Sequence, residues 1–142
     1  MKNKKVLVVV GTRPEIIKMA PVIHELCEKP KNFETKVCLT GQHREMADQT
    51  IQLFDLKADY DLNIMTKNQS LSEITATIVT KLNDVIDDFK PQLVLVQGDT
   101  TTAFLGALVG NYHKIKVGHV EAGLRTYKKH APFPEEINRC LI

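Results

Sequence analysis

The sequence predicts an α/β fold, a Rossmann-like parallel sheet flanked by helices. Short apolar, β-branched runs recur along the chain, as strands covered on both faces require. Segments of helical periodicity stand between them. Polar, glycine-bearing clusters follow four of the apolar runs, at the strand ends where open α/β sheets bind ligands.

The first run, Lys5 to Val10, reads as a buried strand. Pro14 then marks the first position of a helix, where its missing N–H costs nothing. Ile16, Ala20, Ile23 and Cys27 continue at helical spacing, with Pro21 expected to kink the helix rather than end it. Thr35 to Leu39 is a second strand and Arg44 to Phe54 a second helix. Residues 55 to 69 are the least regular stretch. Ser70 and Glu73 have capping-box spacing, and Leu71, Ile74, Ile78, Leu82, Val85, Ile86 and Phe89 follow in helical phase. Pro91 marks the end of that helix. Leu93 to Val96 is a strand. Thr101 to Tyr112 is a helix whose Ala103, Gly106, Ala107 and Gly110 suit close packing on a sheet. Lys116 to Val120 is the last strand, and a helix starts near Pro134. The predicted order is β-α-β-α-α-β-α-β, with right-handed crossovers.

The bulk numbers fit one globular domain: 142 residues, 43% hydrophobic and 25% charged. A net charge of +2 argues against a general nucleic-acid binder, which carries a marked basic excess. Cys27, Cys38 and Cys140 are odd in number and not in metal-like spacing, so free thiols in a reducing compartment are expected. No two of the five histidines suggest a metal pair. Lys2, Lys4 and Lys5 precede the first apolar run, but that run stops at Gly11. It is too short for a secretory core or a bilayer span, and a cytoplasmic location without membrane attachment is expected.

Each polar cluster has a structural and a functional reading. Gly11, Thr12 and Arg13 form either a tight turn with a threonine cap or an anion site at a helix N-terminus, helped by Lys18. Neither a dinucleotide glycine pattern nor a phosphate-loop lysine motif is present. Asp99 with Thr100, Thr101 and Thr102 reads as helix capping, or as a carboxylate aimed into a cleft. His43 and His119 are either structural imidazoles or site residues. Glu135 and Glu136 follow Pro134, where first-turn acids favour the helix dipole. Glu121 directly follows a buried strand and precedes Ala122 and Gly123, where few structural tasks need an acid. Three acids converging on one cleft would suit proton transfer, because burial and repulsion hold one protonated and another ionised.

Five segments in order carry a resemblance. They are Gly11-Thr-Arg-Pro-Glu-Ile-Ile-Lys-Met-Ala-Pro21, Thr40-Gly-Gln-His-Arg-Glu-Met46, Gln97-Gly-Asp-Thr-Thr-Thr102, His119-Val-Glu-Ala-Gly-Leu-Arg-Thr126 and Pro132-Phe-Pro-Glu-Glu-Ile-Asn-Arg139. Together they resemble the bacterial non-hydrolysing UDP-N-acetylglucosamine 2-epimerases. The resemblance implies one half of a two-domain, glycosyltransferase-B-type fold, with the active site between the domains. It implies interconversion of UDP-GlcNAc and UDP-ManNAc for surface polysaccharide synthesis, by elimination and re-addition of UDP through 2-acetamidoglucal. It implies no metal, no nicotinamide and a homodimer.

By the same resemblance, Asp99, Glu121 and Glu135 match the acid/base carboxylates. Arg13 and Lys18 match diphosphate contacts, with Gly11, Thr12, His119 and Arg125 on substrate-binding segments. Gln42, His43 and Glu136 are candidates for a second, activating UDP-GlcNAc. Such a chain lacks the C-terminal domain, so it reads as a truncated species, inactive alone. The alternatives are a hydrolysing epimerase, a glycosyltransferase of the same fold, or a non-catalytic nucleotide-sugar-binding domain.

Overall fold

Strands and helices alternate as the periodicity predicts. The computed structural model describes residues 3–41, 44–65 and 68–142, with residues 44 and 45 described as backbone only. Ten elements follow in order: β1 (Lys4–Val10), α1 (Arg13–Cys27), β2 (Phe33–Leu39), α2 (Arg44–Leu53), β3 (Tyr60–Asp61), α3 (Leu71–Phe89), β4 (Leu93–Gln97), α4 (Thr101–Tyr112), β5 (Lys116–Val120) and α5 (Glu135–Leu141). The five strands form one sheet in the order β3-β2-β1-β4-β5. All pairs are parallel.

Alternation along β1 divides the core into two layers. Leu7 and Val9 face α3 and α4, packing with Ile78, Leu82, Ile86, Leu105 and Ala107. Val6, Val8 and Val10 face α1 and α2, packing with Ile16, Met19, Ile23, Ala47 and Ile51. Each such side chain, fully withdrawn from water, contributes about 1.5–3 kcal/mol before entropy is counted. The small residues of α4 allow close approach: a Cβ on Gly106 would lie 2.7 Å from Val96 Cγ1. No helix among the described residues is long and apolar enough to cross a membrane.

Two details differ from the sequence prediction. The irregular stretch contains β3, whose two residues pair with Cys38 and Leu39 and are too few to show a period. The α1 helix begins at Arg13, one residue early, so Pro14 takes its second position. It continues through Pro21 to Cys27. The α3 helix ends on Lys90 in the left-handed conformation, just before Pro91.

The chain runs outward from β1 through β2 to β3, and α3 then carries it back across the sheet to β4 on the other side of β1. Helices on opposite faces therefore diverge from the carboxyl ends of β1 and β4. This reversal opens the crevice in which such sheets bind ligands.

Candidate functional site

The turns at this reversal enclose a cleft of about 280 Å³. Its lining includes Thr12, Glu15 and Lys18 from the β1–α1 side, Gln97, Asp99 and Thr100 from the β4–α4 side, and Glu121 and Arg139.

The floor is built from buried polar groups. Gly11 must be glycine because a Cβ there would lie 2.3 Å from Thr40 Oγ1 and 2.4 Å from Thr102 Oγ1. Those two hydroxyls meet at 2.9 Å. Beside them lies Glu15, only 1% exposed. Its Oε2 accepts from the backbone N–H groups of Gly11 at 2.9 Å and Thr12 at 2.7 Å, and its Oε1 accepts from Thr100 Oγ1 at 2.6 Å. Burial pushes the Glu15 carboxyl above the usual range, against the pull of these hydrogen bonds. Glu15 was not predicted as a site residue. Its signal was present, since Thr12-x-x-Glu15 has the same capping-box spacing as Ser70-x-x-Glu73.

The helix N-terminal donors at Gly11 and Thr12 are thus occupied by an internal carboxylate. The side-chain cations differ in placement. Lys18 lines the cleft, while Arg13 is exposed on the first turn of α1, outside that lining.

Asp99 and Glu121 face the same cleft. The helix cap falls on Thr100, whose Oγ1 accepts from Ala103 N–H at 3.0 Å, so Asp99 is not consumed as a cap. Asp99 instead pairs with Arg139 of α5, and its carbonyl accepts from Asn138 Nδ2 at 2.8 Å. Glu121 adopts φ +64°, a left-handed conformation that costs a non-glycine residue on the order of 1 kcal/mol. Its carboxylate accepts from Lys18 Nζ at 2.5 Å and from Gln97 Nε2. The Lys18 hydrogen bond is the largest influence holding the Glu121 carboxyl below the usual range, with Lys18 charge, Gln97 and the Arg139 charge adding to it. His119 hydrogen-bonds the Gly98 carbonyl at 2.6 Å, tying β5 to the turn that carries Asp99.

Glu135 lines an adjoining hollow of about 230 Å³, whose walls include Asp99, Thr12 and Thr100. Its Oε2 is buried without a hydrogen-bond partner among the described residues. The three predicted acids are therefore near neighbours, with Asp99 common to both hollows.

Arg125 and Glu136 face elsewhere. Glu136 is 1% exposed and accepts from Arg125 Nε at 2.8 Å and from the Thr126 and Tyr127 N–H groups at 2.9 and 3.1 Å. Arg125 also lies over the Tyr127 ring at 4.9 Å. Both residues line a separate, largely apolar hollow with Ile137 and Leu141. Gln42 and His43 lie outside the described residues.

A family model described as UDP-N-acetylglucosamine 2-epimerase matches residues 25–142. The chain belongs to that family. The UDP-N-acetylglucosamine 2-epimerase of Neisseria meningitidis is 63% identical over 137 residues, covering 96% of this chain and 37% of the relative. Its crystal structure, bound to UDP-GlcNAc, superposes with a TM-score of 0.92. The family member from Methanocaldococcus jannaschii, solved with UDP-GlcNAc and UDP, is 38% identical with a TM-score of 0.88, over 96% of this chain and 37% of that one. The Streptomyces glycosyltransferase SsfS6, at 15% identity and TM-score 0.59 over 82% of this chain and 39% of that one, shares the fold alone. The chain thus spans just over a third of the length of its epimerase relatives.

Proposed function

We infer that this chain forms the nucleotide-sugar-binding wall of a non-hydrolysing UDP-GlcNAc 2-epimerase that interconverts UDP-GlcNAc and UDP-ManNAc. The observation carrying this reading is the pairing of two carboxylates with two cations in one cleft: Glu121 with Lys18, and Asp99 with Arg139. Inversion at C2 faces a chemical obstacle, because that carbon bears no activated proton. Elimination of UDP from C1 with loss of the C2 proton to a base gives 2-acetamidoglucal, and re-addition of UDP at C1 with a proton delivered to the opposite face of C2 circumvents it. The elimination needs a base for the C2 proton and a cation or acid for the departing phosphate.

The residues suit those needs. A carboxylate kept ionised by Lys18 is available to accept a proton, and Lys18 also supplies charge to a diphosphate. Glu135 has an unpartnered buried oxygen, as a group awaiting a substrate hydrogen bond would. Arg13 stands outside the cleft as a second cation for the nucleotide. His119, Gly11, Thr12 and Thr100 set the shape of the wall. Arg125 and Glu136 support this reading less directly, through the loop they hold beside the cleft. The reading also includes a cytoplasmic, homodimeric enzyme needing no metal or nicotinamide.

A binding experiment tests it. Addition of UDP-GlcNAc to the ¹⁵N-labelled chain is expected to shift the amides of Asp99, Thr100, Glu121 and Ala122. Shifts confined to the far end of the sheet, near Lys4 and Gln92, or absent altogether, would overturn the assignment of this cleft.

A further inference from the structure

Glu15 lines the floor of the cleft while only 1% exposed, and it joins both turns that form the cleft. One oxygen takes the two N–H groups of the β1–α1 turn, and the other takes the hydroxyl of Thr100 in the β4–α4 turn. The bridge spans the switch point of the sheet, where its two halves diverge. Thr100 is adjacent to Asp99 and caps α4 through the same hydroxyl oxygen. Displacing Thr100 therefore displaces the Asp99 backbone.

A simple helix cap needs only the first half of this arrangement. Ser70 and Glu73 show the ordinary form: both partners exposed and the bonds confined to one turn. Glu15 is instead withdrawn from water, and a buried carboxylate is tolerated only where its hydrogen bonds offset the lost solvation. Its link to Thr100 reaches across 85 positions of sequence.

We propose that Glu15 is a positioning residue, a buried carboxyl group whose hydrogen bonds clamp the β1–α1 turn to the β4–α4 turn and thereby hold Asp99 at its place in the cleft. The functional importance of that place rests on the epimerase reading, but the clamp itself does not. A second consequence follows for ligand recognition. Because the Glu15 carboxylate saturates the Gly11 and Thr12 donors, an incoming diphosphate is directed to side-chain cations, with Lys18 already in the cleft. This differs from phosphate sites that use free N–H groups at a helix start.

The test compares the unaltered 142-residue chain with Glu15→Asp and Glu15→Gln. Asp keeps the charge but loses one methylene of reach. Gln keeps the reach, accepting from Gly11 and Thr12 through its oxygen and donating to Thr100 through its nitrogen. Amide shifts of residues 98–101 are read in ¹⁵N–¹H spectra, together with the affinity for UDP-GlcNAc.

Glu15→Asp is expected to move the amides of 98–101 and to weaken binding roughly tenfold, on the scale of one lost hydrogen bond. Glu15→Gln is expected to restore both. Amides of 98–101 that stay in place in Glu15→Asp would overturn the proposal. Equal damage by both substitutions would overturn it as well, since reach alone would then not account for the loss. If the unaltered chain binds no UDP-GlcNAc but the amide pattern is as expected, the clamp stands and the nucleotide-sugar reading falls.

Discussion

Gly11 shows how a single position links backbone to site. Its Cα lies against two threonine side chains from different elements, Thr40 at the end of β2 and Thr102 in α4. Both threonines are fully buried and their β-branched side chains have little rotational freedom. Gly11→Ala is therefore expected to destabilise the chain by about 1–3 kcal/mol, the usual cost of forced overpacking. Urea unfolding checks this: a midpoint unchanged from the unaltered chain would show that the threonines yield without cost. A glycine before a helix was legible in the sequence as a turn, but its reason was not. The two hydroxyls come from 29 and 91 positions further along the chain, so no local pattern announces them. Asp99 was readable only as one of two possibilities, and the observed cap falls on Thr100 instead. Glu121 stands out in the sequence as an acid directly after a buried strand. Its partners Lys18 and Gln97 became visible only once β5 lay beside β4.

The loop from β5 to α5 is an element organised by one carboxylate. Glu136 gathers the Thr126 and Tyr127 N–H groups and the Arg125 guanidinium, and lies within 3.7 Å of Arg139. The N–H of Thr126, with Arg125 and the N–H of Tyr127, pulls its carboxyl down to about 2 from an ordinary 4.5. A group depressed on folding stabilises the fold fully above its unfolded value and loses that contribution as pH falls through its folded value. The Glu136 contribution should therefore disappear between pH 4.5 and about 2. Glu15 runs the opposite way, because its raised value makes ionisation in the folded state a cost as pH rises. Glu136→Gln is expected to flatten the acid limb of stability over that window and to speed exchange of the Thr126 and Tyr127 amides. An acid limb identical to that of the unaltered chain would remove Glu136 from its origin. The helix was anticipated from Pro134 and the two acids after it. Which acid turns inward was not, because adjacent helix positions differ only in the neighbours that tertiary packing provides.

At the scale of the molecule, the layered sheet was the most legible feature, since each strand and helix carries its own period. The strand order was not, because periodicity says nothing about which strands pair. That order places Lys18 and Glu121, distant in sequence, across one cleft at the switch point. Yet the chain spans only 37% of the length of its Neisseria meningitidis relative, and both ion pairs of the cleft, Lys18 with Glu121 and Arg139 with Asp99, belong to one wall. Catalysis that depends on holding a substrate between two walls loses most of its advantage when one is lacking, and misplacement of about 1 Å already costs on the order of a hundredfold. The chain alone is therefore expected to produce no detectable UDP-ManNAc from UDP-GlcNAc in deuterated water. Addition of the separately expressed remainder of that relative should restore turnover, with deuterium at C2. Proton signals at C1 and C2 report both events directly. Turnover by the chain alone would show that this wall holds a sufficient site. No turnover in the mixture, with both parts folded and associated, would leave nucleotide-sugar binding without epimerisation as the better account of the cleft.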